Sequence, residues 1–233
     1  MAYSHGTPNS IVKDGLVFAV DPANIRSYPG SGTTVTDLIG TNNGTLVNSP
    51  QFNSDNAGIW TFDGNDEYID FGTSLNFTSE ISIGGWFKTS GTSNNTYIIS
   101  KHITGLSQPY FVYGVYVDSS SKLVFRIGTS IAYLITSTTS IEDNAWHYFT
   151  GVYNGTNIKL YIDGASDATP VSATGTLDQT SKKTTIGVVI SGDDSSINNE
   201  YDGKISLTHF YNHALSASEV LQNYRALKGR FGL

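Results

Sequence analysis

The chain has 233 residues, a formal net charge of −7 and no cysteine, which excludes disulfides, thiolate metal sites and cysteine nucleophiles. Only 14 % of residues are charged, against about 25 % in an average globular domain, and Gly, Ser, Thr, Asn and aromatics fill the difference. Thirteen Lys and Arg without a long basic run argue against nucleic acid and membrane surfaces as partners, and no apolar run approaches the ~20 residues of a membrane span.

Residues 1–14 are polar and irregular, with Gly6 and Pro8, and read as an N-terminal arm ahead of one domain over 15–233. Met1 to Gly6 lacks a basic stretch followed by an apolar one, so no secretory signal is expected and synthesis in a cytoplasm is. Leu16-Val17-Phe18-Ala19-Val20 is a first strand, closed by Asp21-Pro22. Residues 24–56, rich in Gly, Ser, Thr, Asn and Pro, predict a long surface loop with short extended pieces.

Strands then follow at short intervals. Gly58 to Phe62 turns at Asp63-Gly64 into Glu67 to Phe71. Ile81 to Phe87 alternates, with Ile81, Ile83 and Phe87 on one face and Trp86 on the other. Further strands are expected at Tyr97–Ser100, Tyr110–Val117, around Leu123, Phe125 and Ile127, and at 131–136. Trp146–Tyr153 and Ile158–Ile162 flank Asn154-Gly155, which predicts a type I′ hairpin, and Asp163-Gly164 makes a second turn. Thr185–Ile190 and Lys204–Tyr211 are the last strands. Ser216-Ala217-Ser218-Glu219 is a capping box, and Val220, Leu221 and Tyr224 share a stripe, so one helix is expected over about 217–226. With about a dozen strands, one terminal helix and no βαβ unit, the fold class is all-β, an antiparallel sandwich.

Phe62 to Asp70, Phe77 to Lys88, Asn144 to Gly164 and Gly203 to Val220 resemble, in the right order, laminin-G-like jelly rolls of the concanavalin A type. The resemblance implies a lectin-like sandwich and says little about function. Gly15 to Asp21, Tyr28 to Gly32, Thr36 to Leu38 and Asn42 to Asn48 are similar to openings of laminin-G-like structural proteins of tailed bacteriophages, and Asn223 to Leu233 resembles their endings. This implies a non-catalytic virion structural or decoration protein that packs on capsid or tail, with other virion proteins and copies of itself as partners. Tyr3, His5, Arg225, Lys228 and Arg230 are the candidate assembly contacts. The alternative is a receptor-binding, lectin-like adhesin that recognises cell-surface glycans.

Jelly rolls of this type include glycosidases, and retaining ones need two carboxyls about 5–5.5 Å apart. No Glu-x-Asp-x-(x)-Glu strand of the laminarinase kind is present, and Glu67 and Asp70 point to opposite faces. No Gly-x-Ser-x-Gly elbow or phosphate loop occurs. A glycan-active hydrolase is therefore the least favoured reading. The resemblance also implies calcium, which takes oxygen ligands. Asp63, Asp66, Asp193, Asp194, Asn198 and Asp202 are the candidates, although Ser206 stands where many relatives carry Asp. Trp86 and Tyr113, each on the face opposite apolar neighbours, are the candidate glycan-binding aromatics, with burial under the 24–56 loop or a second subunit as the alternative.

Overall fold

The computed structural model describes residues 10–89, 94–103 and 108–233. Its core lies between two antiparallel sheets. The first runs in the order Ala165–Ser166, Asn157–Ile162, His147–Tyr153, Ile81–Lys88, Asp202–Tyr211, Ile59–Asp63, Gln51–Asn53. Leu16–Val20 also pairs with Asp202–Tyr211, and Val171–Ser172 with Asn157–Ile162. The second runs Ala132–Ser140, Lys122–Gly128, Phe111–Val117, Thr96–His102, Thr184–Ile186, Tyr68–Asp70, Gly44–Val47, Thr34–Val35. A separate hairpin pairs Val189–Ile190 with Ile197–Asn198.

The period-2 pattern explains which side chains meet. Ile81, Ile83 and Phe87 of the first sheet and Leu123, Phe125 and Ile127 of the second are buried in one cluster between the sheets. Gly151 allows a close approach of the two sheets: a Cβ there would lie 2.5 Å from the Phe125 ring. The 24–56 region contains three short strands, as the turn-rich sequence suggests.

Two local expectations are corrected. Thr185–Ile190 is not one strand. It breaks at Gly187 (φ 99°), whose α-hydrogens face the Phe62 ring, and its halves join different sheets. The Asn154-Gly155 turn is not type I′ either. Only Gly155 has positive φ (83°), and the Asn154 carboxamide oxygen accepts from Thr156 N–H and Asn157 N–H, so Gly155 and Thr156 form the loop. Both central positions are left-handed at Asp163-Gly164 instead (φ 51° and 80°), as type I′ requires.

The helix spans Ala217–Leu227, and the capping box closes: Ser216 Oγ accepts from Glu219 N–H while the Glu219 carboxylate accepts from Ser216 N–H. Its Val220 and Asn223 are buried. The expected arm is packed where it is described. Val12 N–H donates to the Asn223 side chain at 2.7 Å, and Tyr211 Oη donates to the Val12 carbonyl at 2.9 Å. Tyr3 and His5 lie outside the described residues.

Arg230, expected as a free assembly contact, is an internal clasp. It pairs with Asp21 at 2.8 Å and donates to the carbonyls of Asn56 and Gly58 and to Ser206 Oγ. Lys228 lies over the Tyr224 ring, with Nζ 5.7 Å from its centroid, whereas Arg225 is exposed.

A second polar clamp holds the hairpin beyond Asp163. His147 lies 2.8 Å from Asp163 and 3.2 Å from Asp143, and the other Asp163 oxygen accepts from Tyr148 N–H at 2.8 Å. Burial pushes the His147 pKa down, but its two carboxylate partners outweigh this and raise it above 6.5.

Two predictions come from these contacts. Arg230→Ala should destabilise the protein by roughly 2–3 kcal/mol in denaturant unfolding, less than for a fully buried pair because both side chains keep some exposure. A change within a few tenths of a kcal/mol would show that the clasp is ornamental. For His147, the folded pKa exceeds the unfolded one, so its stabilisation is fully present below pH 6.5 and lost as pH rises through the raised folded value. Unfolding free energies measured from pH 5 to 9 should show this decline in the wild type, and His147→Asn should remove that contribution to the slope.

Candidate binding face

A sandwich has two outer faces, and this chain treats them differently. The outer face of the first sheet is covered around Trp86 by the C-terminal helix and the turn after it. Trp86 and Tyr148 are fully buried there with Leu207, Tyr211, Val220 and Phe231. Phe231 stacks on Trp86 with ring centroids 4.2 Å apart, and Tyr224 lies at 5.7 Å. Trp86 therefore cannot serve as the glycan platform expected of it, because the chain's own C-terminus occupies its face.

Tyr113 fails for a different reason. Strict alternation would place it opposite Val112, yet both belong to the inner core. The register of Phe111–Val117 against Thr96–His102 shifts between Lys101 and His102, which rotates the strand at this end. The Tyr113 hydroxyl is satisfied inside, against the Leu75 carbonyl at 2.9 Å and Thr184 Oγ1 at 2.8 Å.

That shift turns Phe111 to the outer face of the second sheet, where alternation from Tyr113 and Val115 also places Tyr116. Cross-strand pairing there sets out a grid: Thr136, Val124, Tyr116 and Tyr97 form one row, and Leu134, Arg126, Gly114 and Ser100 the next. Tyr97 stacks between Tyr116 and Phe111, at 4.7 and 5.1 Å. The Arg126 guanidinium lies 4.2 Å from the Phe111 centroid and donates to Tyr97 Oη at 3.3 Å and to the Pro109 carbonyl at 2.9 Å. His102 tilts against Phe111 at 4.8 Å.

Gly114 makes this arrangement fit. A Cβ there would stand 2.9 Å from Tyr97 Cε1 and 3.3 Å from Arg126 Cγ, so the two side chains close over the glycine. The rings are 4–8 % exposed, and their faces are used on one another. The face therefore offers ring edges, hydroxyls and a half-buried guanidinium. The Tyr116 hydroxyl makes no hydrogen bond among the described residues. Burial raises its pKa to about 12, with Tyr97 adding to the effect. Burial lowers that of His102, and Arg126 and Lys182 lower it further, which keeps the imidazole neutral near pH 7.

The small hairpin Val189–Ile190/Ile197–Asn198 borders this face. Val189 packs on the aromatic cluster, and Tyr97 N–H donates to the Asn199 carbonyl at 2.9 Å. Pro109 continues the face into a polar cleft of about 350 Å³ with Thr129, Asp178 and Gln179. A second cleft, of about 260 Å³, lies between sheet edges at Tyr28, Gly30, Gly32 and Phe52.

The six residues expected to share calcium do not form a site. Among the described residues no three carboxylate or imidazole side chains converge on a common point. Asp63 accepts from Asn65, and Asp202 stands opposite Asp63 across the sheet. Asp66 belongs to the same turn, where only its carbonyl is bonded, to Asn48. Asp193, Asp194 and Asn198 lie in the hairpin loop. Hydrogen bonds from Ser191 and Ser195 hold the Asp193 carboxyl well below the usual range, and Asp194 pairs with Lys182 at 2.7 Å. Asn198 donates to Ser196 Oγ. Ser206 is fully buried and bonded to the Gly58 carbonyl and Arg230.

The signal that sequence reading passed over is Arg126 itself. With Leu123, Phe125 and Ile127 facing inward, alternation puts a cation outward on an otherwise apolar strand, beside a glycine within an aromatic one.

Similar structures share this sandwich. The binding domain of Paraclostridial mosquitocidal protein 1 is 16 % identical with a TM-score of 0.68 and covers 90 % of this chain and 52 % of its own. The binding domain of botulinum neurotoxin DC in complex with SialylT is 16 % identical with a TM-score of 0.68, over 92 % and 52 %. Domain 4 of the arabinanase AbnA from Geobacillus stearothermophilus, in complex with arabinotriose, is 15 % identical with a TM-score of 0.67, over 90 % and 98 %. The chain thus spans about half the length of the toxin binding domains it matches. No curated protein matches its sequence. The model of the Laminin_G_3 family, described as the concanavalin A-like lectin/glucanases superfamily, matches residues 63–221, more than half of the chain, and the protein belongs to that family.

Proposed function

We propose that this protein is a non-catalytic, lectin-like binding module that recognises cell-surface glycans on the outer face of its eight-stranded sheet. The observation that carries this reading is the asymmetry of the sandwich. One outer face is covered around Trp86 by the chain's own helix and tail, while the other keeps stacked tyrosines, a Tyr116 hydroxyl unbonded among the described residues and a guanidinium set over Gly114. Saccharide recognition needs this mixture of aromatic carbon and fixed polar groups.

The similar structures support a binding role: two are toxin binding domains, one solved with SialylT, and AbnA domain 4 was solved with arabinotriose. Others come from enzymes, among them the Trypanosoma rangeli sialidase. The family and these structures favour the glycan-binding alternative over the virion role expected from the terminal segments.

A glycan array followed by calorimetry on the hits tests the reading. The wild type should bind at least one oligosaccharide without degrading it. Tyr116→Phe, which keeps the ring stack and removes only the unbonded hydroxyl, should weaken binding several-fold with an unchanged melting temperature. Gly114→Ala should push Tyr97 and Arg126 apart, cost about 1–3 kcal/mol of stability and reduce affinity at least tenfold. Saccharide binding untouched by both substitutions would place the ligand elsewhere, and a blank array would contradict the module reading.

A further inference from the structure

Arg126 is the cation set among the rings of the candidate face. Arg126 forms no ion pair among the described residues, although the chain as a whole carries a net charge of −7. Its neighbours are aromatic rings, a carbonyl and a hydroxyl, with His102 held neutral and Lys182 already paired with Asp194. A half-buried guanidinium without a counter-charge is costly unless an anion completes it.

The donor inventory points the same way. A guanidinium has five N–H donors in a planar fork. Here Nη1 donates to Tyr97 Oη and Nη2 to the Pro109 carbonyl, which among the described residues leaves one N–H undonated on each terminal nitrogen. Nε is buried and has no hydrogen-bond partner among the described residues. The two hydrogen bonds and the Phe111 stack hold the fork in place, so little side-chain entropy remains to be lost on binding. Two undonated N–H groups on adjacent nitrogens suit a planar, two-oxygen anion.

We infer that the preferred ligand of this face is an acidic saccharide, a sialic or uronic acid unit whose carboxylate is received by Arg126 while Tyr116 and the ring edges meet the sugar carbons and hydroxyls. This rests on the reading of the module as a glycan binder and names the ligand class for that same face.

Calorimetric titration of the whole chain with sialyllactose, a uronic acid disaccharide and lactose tests it. At least one acidic saccharide should bind ten times more tightly than lactose, and its affinity should fall as salt is raised from 50 to 500 mM. Comparing the two acidic probes tells sialic from uronic acid. Arg126→Gln should reduce the acidic probe to the level of lactose, and Arg126→Lys, which keeps the charge without the fork, should fall between. Thermal melts accompany each variant, and should Arg126→Gln fail to fold, Arg126→Lys and the wild-type salt dependence decide. Equal binding of acidic and neutral sugars, or an acidic preference unchanged in the folded variants, would overturn the inference while leaving the module reading intact. Binding of none of the three, with a blank array, would overturn both.

Discussion

The stack of Phe231 on Trp86, with centroids 4.2 Å apart, sets how the molecule can be used. A β-sandwich must dispose of four sheet faces: two meet in the core and two look outward. The chain spends its last residues on one of the outward pair. The capped helix brings Val220 and Tyr224 onto it, the turn at Lys228–Phe231 delivers Phe231, and Asn223 ties in Val12 from the other end of the chain. Arg230, one residue from the stack, fixes the tail to Asp21 and to the carbonyls of Asn56 and Gly58. The part of that face around Trp86 is then closed by the chain itself.

Closing a face with polar strands beneath it requires that buried polar groups find partners. His209 meets this in part: Tyr148 Oη lies 2.8 Å from its Nε2, its Nδ1 has no hydrogen bond among the described residues, and burial pushes its pKa down to about 3, so it is neutral at ordinary pH. Lys101 is the counterpart in the second sheet. It is fully buried without an acid, its Nζ donates to the carbonyls of Thr73 and Lys182, and burial lowers its pKa to about 8. Both use neutral partners. Arg126 differs because it reaches solvent with donors to spare, which is what sets the open face apart chemically.

Most of the fold was readable from period and punctuation. Leu16–Val20, the Ile81–Lys88 alternation and the Ser216–Glu219 capping box follow from local rules that tertiary packing did not override. The failures are equally local in origin. Gly187 looks like a strand residue until Phe62 is known to lie against it, and a register shift at Val112 puts that residue in the core beside Tyr113. Trp86 was rightly placed on an outer face, but no strand pattern tells that the helix folds back over that face. The candidate site was less legible because it is assembled across strands. Tyr97, Phe111, Tyr116 and Arg126 come from three strands, and only pairing register aligns them around Gly114. The acidic loop, by contrast, offers oxygens enough for the metal that the resemblance implies, while Asp193 accepts from two serines and Asp194 pairs with a lysine.

The central claim is that the outer face of the eight-stranded sheet meets the ligand. Nuclear magnetic resonance titration of the isotopically labelled chain with the tightest saccharide from the array tests it most directly. The account predicts that shifts concentrate on the Gly114 amide, the Arg126 side-chain N–H groups and the Tyr97 and Tyr116 rings, with the Trp86 indole unmoved. Shifts centred on Trp86, or on the Tyr28–Phe52 cleft with Gly114 and Arg126 silent, would contradict it.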